Sequence, residues 1–158
     1  MHADSVRLQS RRAALKRAMV FAALVAGLPA AAGAARASVA AVMQRDAGCG
    51  CCLAYADILR RAGFAVTVVS NPDMAAYKRS KGVPDALQSC HTVGVAGYLV
   101  EGHVPVAVVR RLVAERPRLT GIALPGMPAG SPGMGEGKSA PFRIIGFAPG
   151  RTSLYAVD

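Results

Sequence analysis

The sequence predicts a mixed α/β domain in the order β-α-β-α-β-β-α with an added C-terminal β-hairpin. Short apolar, β-branched runs alternate with stretches whose apolar residues recur at helical spacing. A helix lies between the first two strands, which implies a crossover and parallel pairing, whereas only Gly97 separates the third and fourth, which implies an antiparallel hairpin. Residues 38–158 are also long enough to bury about two-thirds of their unfolded surface, so the domain needs no disulfide staples to be stable.

Each element has its own signal. Residues 38–44 (SVAAVMQ) form an apolar run suited to a buried strand. A helix is expected over 51–62, with Tyr55, Ile58, Leu59 and Ala62 on one face and Asp57, Arg60 and Arg61 off it, stopped by Gly63. FAVTVVS, 64–70, reads as the second strand. Asn71-Pro72-Asp73 reads as N-cap, first-turn proline and first-turn acid of a helix running to about residue 80, and DALQS adds one more turn. TVGVA and YLVEG make a hairpin around Gly97. The run 106–116 is helical, with Val106, Val109, Leu112 and Val113 inward and Pro117 as the stop. Residues 121–141 hold ten Gly or Pro in 21 positions and read as a wandering loop, after which FRIIGF and TSLYAV close the chain as a hairpin.

The N-terminus reads as a targeting segment. Arg7, Arg11, Arg12, Lys16 and Arg17 precede an apolar run over 18–28, Pro29 breaks it, and Ala35-Arg36-Ala37 supplies a small-x-small cleavage pattern. Residues 1–37 are therefore expected to be a signal peptide and 38–158 the exported mature domain. Ser10-Arg11-Arg12-Ala13-Ala14-Leu15-Lys16 resembles a twin-arginine signal, with Ala14 where that pattern has Phe. The competing reading is an uncleaved anchor, for which the apolar run is shorter than the roughly 20 residues a spanning helix needs. Of the formal net charge of +10, half belongs to residues 1–37. The remaining bases are scattered in pairs such as Arg60-Arg61 and Arg110-Arg111 with no interleaved aromatics, a solvated surface and not a nucleic-acid footprint.

Three of the four cysteines, Cys49, Cys51 and Cys52, fall at the mouth of the first helix, and the fourth is Cys90 in SCHT. Thiols packed this closely cannot serve each other as long-range staples, so they read as a site. Cys49 and Cys52 form a C-x-x-C pair where unpaired helix N–H groups lower a thiol's pKa. Successive helical residues point about 100° apart, so Cys51 does not easily share one tetrahedral ion with its neighbours. That suits bridging sulfurs, or an exchange partner for a disulfide. His91 beside Cys90 reads equally as a ligand or as a surface histidine at the strand entry. His103 follows the fourth strand. Met127 and Met134 lie in the Gly/Pro segment and offer soft thioethers. Zinc would leave Cys51 over, and the usual iron–sulfur spacings are absent, whereas Cu(I) accepts two or three ligands and tolerates thiolate bridging.

A thiol motif between the first strand and first helix, in this element order, looks like the thioredoxin fold. The motifs CGCC, GVP…L.SCHT, GY.VEGHVP, RLV.ERP…GIALPGMP.GSPGM and GRTSLYA together resemble the CopG-type family of exported copper-resistance proteins over nearly all of 39–157. The resemblance implies a thioredoxin-like fold, a periplasmic role in copper handling, and a multinuclear Cu(I) site that can change oxidation state. Carried over, it implicates Cys49, Cys51, Cys52 and Cys90, then His103 and His91. Tyr55 stands where the family pattern usually has Trp. The expected partners are copper ions and a copper efflux or periplasmic carrier protein, with no nucleic acid and no membrane contact beyond an uncleaved signal. The reading is of a binding protein more than an enzyme, and sequence does not separate sequestration, transfer and change of copper oxidation state. Two rivals stand beside it. One is a thiol–disulfide oxidoreductase using Cys49 and Cys52, against which the lack of a proline before the third strand argues; the other is a structural zinc domain.

Overall fold

The computed structural model describes residues 38–138 and 140–158, so the expected signal segment lies outside the described residues. The elements are β1 (Val39–Arg45), α1 (Gly50–Arg61), β2 (Phe64–Ser70), α2 (Met74–Ser80), a 3-10 turn at Asp85–Leu87, β3 (His91–Val95), β4 (Tyr98–Glu101), α3 (Val106–Glu115), β5 (Gly121–Ala123), β6 (Arg143–Ala148) and β7 (Arg151–Val157). They form a mixed α/β structure on one seven-stranded sheet of order β2-β1-β3-β4-β5-β6-β7. β1 runs parallel to β2, as a helical crossover requires, and antiparallel to β3. β4 pairs antiparallel with β3 and parallel with β5, and β6 and β7 complete the sheet antiparallel.

Alternation along the strands sorts side chains between two faces. Ala41 and Met43 of β1, Val93 and Val95 of β3, Val100 of β4, Ile122 of β5 and Ile144 of β6 are buried in one cluster. α1 adds Cys52, Tyr55, Ala56 and Leu59 to it, at the i, i+3, i+4, i+7 spacing of a single helical stripe, and α3 adds Val108, Val109 and Leu112. A smaller cluster of Val83, Leu87, Ala123 and Phe147 packs separately beside Leu99 and Ile145. No helix among the described residues is long and apolar enough to cross a membrane.

The element order over 39–116 follows the sequence expectation, and three local details differ from it. The N-cap of α2 is Asp73, whose carboxylate accepts from the N–H of Ala76 at 2.8 Å, while Asn71 Oδ1 accepts from the Asp73 N–H at 3.0 Å. Asn71 thus shapes the approach and Asp73 satisfies the helix end. The β3–β4 hairpin closes through Ala96 and Gly97, both with positive φ (49° and 87°), the pattern of a two-residue turn whose twist matches its strands.

The third difference is larger. The Gly/Pro segment is not wholly loop, because its first three residues form β5 between β4 and β6. All three are buried. Gly121 makes the pairing possible: a Cβ there would lie 2.2 Å from the Leu99 carbonyl oxygen and 2.7 Å from the Phe147 ring. Gly121→Ala is therefore expected to lower stability by about 1–3 kcal/mol, as overpacking does when backbone must move. Urea unfolding of the two proteins measures it; an unchanged midpoint would mean that β5 can shift away from β4 at no cost.

Candidate metal centre

The two halves of the site meet at one end of the sheet. β1 ends at Arg45, which pairs with His91 at the start of β3, so the loop after β1 and the residue before β3 emerge side by side. The loop is held from within. The Arg45 guanidinium donates to the carbonyls of Asp46 and Ala47 at 2.8 Å each and of Cys49 at 3.3 Å, and Asp46 Oδ1 accepts from the Gly48 N–H at 2.9 Å. Cys49 is the N-cap of α1 in extended conformation, with no side-chain capping bond. Cys51 and Cys52 then lie in the first turn.

All four sulfurs lie within 4.8 Å of one another. Cys49 and Cys52 are joined as a disulfide with Cα atoms 5.5 Å apart, and Cys51 and Cys90 are free thiols. The Cys51 Sγ is 3.5 Å from that of Cys49, and the Cys52 Sγ is 3.9 Å from the Cys90 carbonyl oxygen. In this form the expected cluster of four thiolates is replaced by a disulfide and two thiols at the same spot.

Cys90 also belongs to a second group. Its Sγ is 3.1 Å from His91 Nδ1 and 3.1 Å from His103 Nε2, and one ligand atom from each of the three residues lies within 4.8 Å of the others. Both imidazoles are fully buried, which sets aside the surface reading of His91. The ring of Tyr55 is 5.0 Å from that of His91 and 5.2 Å from that of His103, and its hydroxyl donates to the Val104 carbonyl at 2.6 Å. Tyr55 so anchors the backbone next to His103.

The tautomer of His103 follows from its other neighbour. Nδ1 lies 2.7 Å from the Pro132 carbonyl oxygen, which can only accept, so Nδ1 carries the proton and the Nε2 lone pair is directed at the Cys90 sulfur. The strap that carries Pro132 fits closely on α1. Gly133 has φ +86°, and a Cβ there would come within 3.1 Å of the Tyr55 nitrogen. Met134 follows it, half-buried, in a turn closed by its N–H to the Ser131 carbonyl at 2.9 Å. Met127 is exposed, with φ 44°. The donor set brought together is thus Cys49, Cys51, Cys52, Cys90, His91 and His103, and thiolates with neutral imidazoles suit a soft or borderline ion.

Two charged residues that sequence reasoning passed over complete the surroundings. Lys78 and Glu101, 3% and 0% exposed, form a buried ion pair bonded to the backbone of Ser89, the residue before Cys90. Lys78 lies in α2 without a helical-period partner, and Glu101 is a lone charge in an apolar strand. That lone charge was the available signal.

Burial sets the protonation states. It pushes the Cys90 thiol up to about 11, with the Cys51 thiol adding to the rise. Burial pushes His91 down to about 3, with His103 and Lys78 adding repulsion, and lowers His103 as well. A histidine with its folded pKa below its unfolded value of about 6.5 binds its proton more readily when unfolded. Its contribution is complete above about pH 6.5, and stability is lost as pH falls from there towards 3. Metal-free protein should therefore lose stability between pH 6.5 and 5, and His91→Gln should flatten the slope by one proton, about 1.4 kcal/mol per pH unit. Chemical denaturation at pH 5.0, 5.5, 6.0 and 6.5 tests it; parallel curves for parent and variant would refute the buried neutral His91.

A family of unknown function, DUF411, matches residues 87–134, the segment from the turn before Cys90 to Met134. No curated protein matches the chain. Two solved structures, form 1 and form 2 of a copper resistance protein CopG, each superpose with a TM-score of 0.71 at 42% sequence identity, covering 77% of this chain and 98% of theirs. At that identity over that length, this chain belongs to the CopG-type family of copper-resistance proteins.

Proposed function

We propose that this is an exported, periplasmic Cu(I)-binding protein of copper resistance, residues 1–37 being its signal peptide and 38–158 a thioredoxin-like domain extended by β5–β7. The observation that carries the proposal is the double membership of Cys90, whose sulfur is common to a group of four sulfurs and to a group with two imidazoles. A sulfur shared in this way can bridge ions, and Cu(I) is the soft ion that accepts few ligands and tolerates bridging thiolates. The likeness to the copper resistance protein CopG supports the metal's identity. His103 offers a lone pair already aimed at the shared sulfur. Of the two thioethers, Met134 is half-buried on the strap that carries Pro132, whereas Met127 is exposed.

Loading of all four sulfurs requires the Cys49–Cys52 bond to be open. Two electrons and two protons from an external dithiol convert it to two thiols, the dithiol leaving as its own disulfide. Capture of Cu(I) then displaces thiol protons, so affinity falls as pH falls. A copper carrier or efflux protein is the partner such a site would serve.

The disulfide favours a second reading, a thiol–disulfide oxidoreductase with Cys51 or Cys90 as the exchange partner. It predicts catalysed insulin reduction by metal-free protein. Under the copper reading, reduced protein binds Cu(I) in competition with a chromophoric chelator, and Cys90→Ser weakens binding at least about tenfold, the loss of a shared ligand exceeding that of a supporting residue. X-ray absorption at the copper edge of the loaded protein should give sulfur neighbours and a short copper–copper distance. Equal binding by Cys90→Ser, or a single nitrogen-rich ion, would overturn the proposal.

A further inference from the structure

We infer that Lys78 and Glu101 are positioning residues that hold Cys90 against the α1 thiols from the opposite face of the sheet. The Glu101 carboxylate accepts from three donors. Lys78 Nζ and the Ser89 N–H, the latter at 2.6 Å, reach Oε1, and the Thr92 hydroxyl reaches Oε2 at 2.5 Å. Lys78 Nζ also donates to the Ser89 carbonyl. Ser89 and Thr92 bracket Cys90-His91, so both backbone groups of Ser89 and the side chain of Thr92 are tied to one ion pair. Beneath it, Thr92 is the register partner of Glu101, and the His91 carbonyl accepts from the Gly102 N–H at 3.0 Å. Alternation makes the division of labour possible. His91 shares its strand face with Val93 and Val95, the face of Tyr55 and α1, whereas Thr92 and Glu101 take the other.

The pair is poorly explained as a source of stability. Removing two charges from water costs several kcal/mol per ion, and well-packed apolar residues of similar volume often do as well or better. What an apolar pair cannot do is bind both the N–H and the carbonyl of Ser89. That fixes the backbone from which the Cys90 sulfur must reach two donor groups at once. Supporting bonds of this kind around metal ligands are worth about 10–100-fold in affinity.

The double variant Lys78→Met/Glu101→Leu removes both charges together and leaves no orphan ion. The first measurement needs no metal. In the protein with its Cys49–Cys52 disulfide intact, Cys51 and Cys90 are the free thiols, and alkylation of each by iodoacetamide is followed by peptide mass spectrometry. The variant is expected to keep its circular dichroism spectrum and alkylate Cys90 at least about tenfold faster, with Cys51 within twofold of the parent as the control for general loosening. The second measurement, which rests on the copper reading, is Cu(I) competition with the reduced proteins, where a loss of about 10–100-fold is expected. Thr92→Val, which deletes one hydroxyl at constant volume, should shift both readouts in the same direction by less, and Thr92→Ser should restore them. Should the double variant not fold, the Thr92 pair decides alone. Unchanged Cys90 alkylation in a folded variant overturns the inference. If alkylation rises while the parent protein binds no Cu(I), the copper reading fails and the positioning role stands.

Discussion

The antiparallel register of β1 with β3 is the constraint on which the site depends. With Arg45 opposite His91, the chain leaving β1 towards Cys49 and the chain arriving at β3 from Cys90 occupy adjacent places at one sheet end. α1 must then begin beside Cys90, since it follows β1 after a four-residue loop and its buried stripe of Cys52, Tyr55, Ala56 and Leu59 lies on Met43, Val93 and Val95. A slip of one residue would exchange the faces of His91 and Thr92, because side chains alternate. The imidazole would point at Glu101 and the hydroxyl at Tyr55, and Cys90 would lose both its nitrogen neighbours. The hydrophobic pattern prevents that slip, for the same shift would turn Val93 and Val95 out of the core.

What could be read from the sequence was what is encoded locally. The order of elements up to α3 follows from alternation, helical spacing and stops, and the grouping of Cys49, Cys51 and Cys52 is visible in four consecutive positions. β5 was not legible because only Ile122 of its three residues favours a strand, and three residues opening a Gly/Pro-rich run are too few to show alternation. They are a strand because β4 and β6 lie on either side and Gly121 admits the Leu99 carbonyl. The capping role passed from Asn71 to Asp73 for a similar reason, two cap-forming side chains competing within three residues. The burial of His91 was a matter of register, which a Cys-His dipeptide at a strand entry does not announce. Lys78 and Glu101 are 23 positions apart in different elements, and nothing in either neighbourhood points to the other.

The strap from Pro128 to Met134 shows how a segment rich in Gly and Pro becomes specific. Its turns are set by Ser131 accepting from Met134 and donating to Pro128 through the backbone. Gly133 then lies on the first turns of α1, where its positive φ and lack of Cβ allow Pro132 to present its carbonyl to His103. The backbone thus performs a task that a carboxylate can also perform, fixing the proton on one imidazole nitrogen and freeing the other. Tyr55 supports the same histidine from the opposite side through Val104. A carboxylate in place of the Pro132 carbonyl would favour the charged imidazolium, which donates from both nitrogens and offers no lone pair.

That choice of neutral partners weighs between the two chemistries the sulfurs can support. Four sulfurs within 4.8 Å satisfy the geometry of both disulfide exchange and metal bridging. Exchange through Cys90 needs a thiolate there, and that thiolate needs a base. Burial pushes that thiol up to about 11 and His91 down to about 3, and lowers His103 as well, so passing the Cys90 proton to either imidazole is disfavoured. A thiol–imidazole pair tuned for nucleophilic attack runs the other way, with the thiol low and the imidazole charged. A soft cation changes the balance, because it binds the thiolate directly and prefers neutral nitrogen to imidazolium. The same burial that makes Cys90 a slow nucleophile and His91 a poor base leaves both as ligands whose protons a metal can displace or never meets.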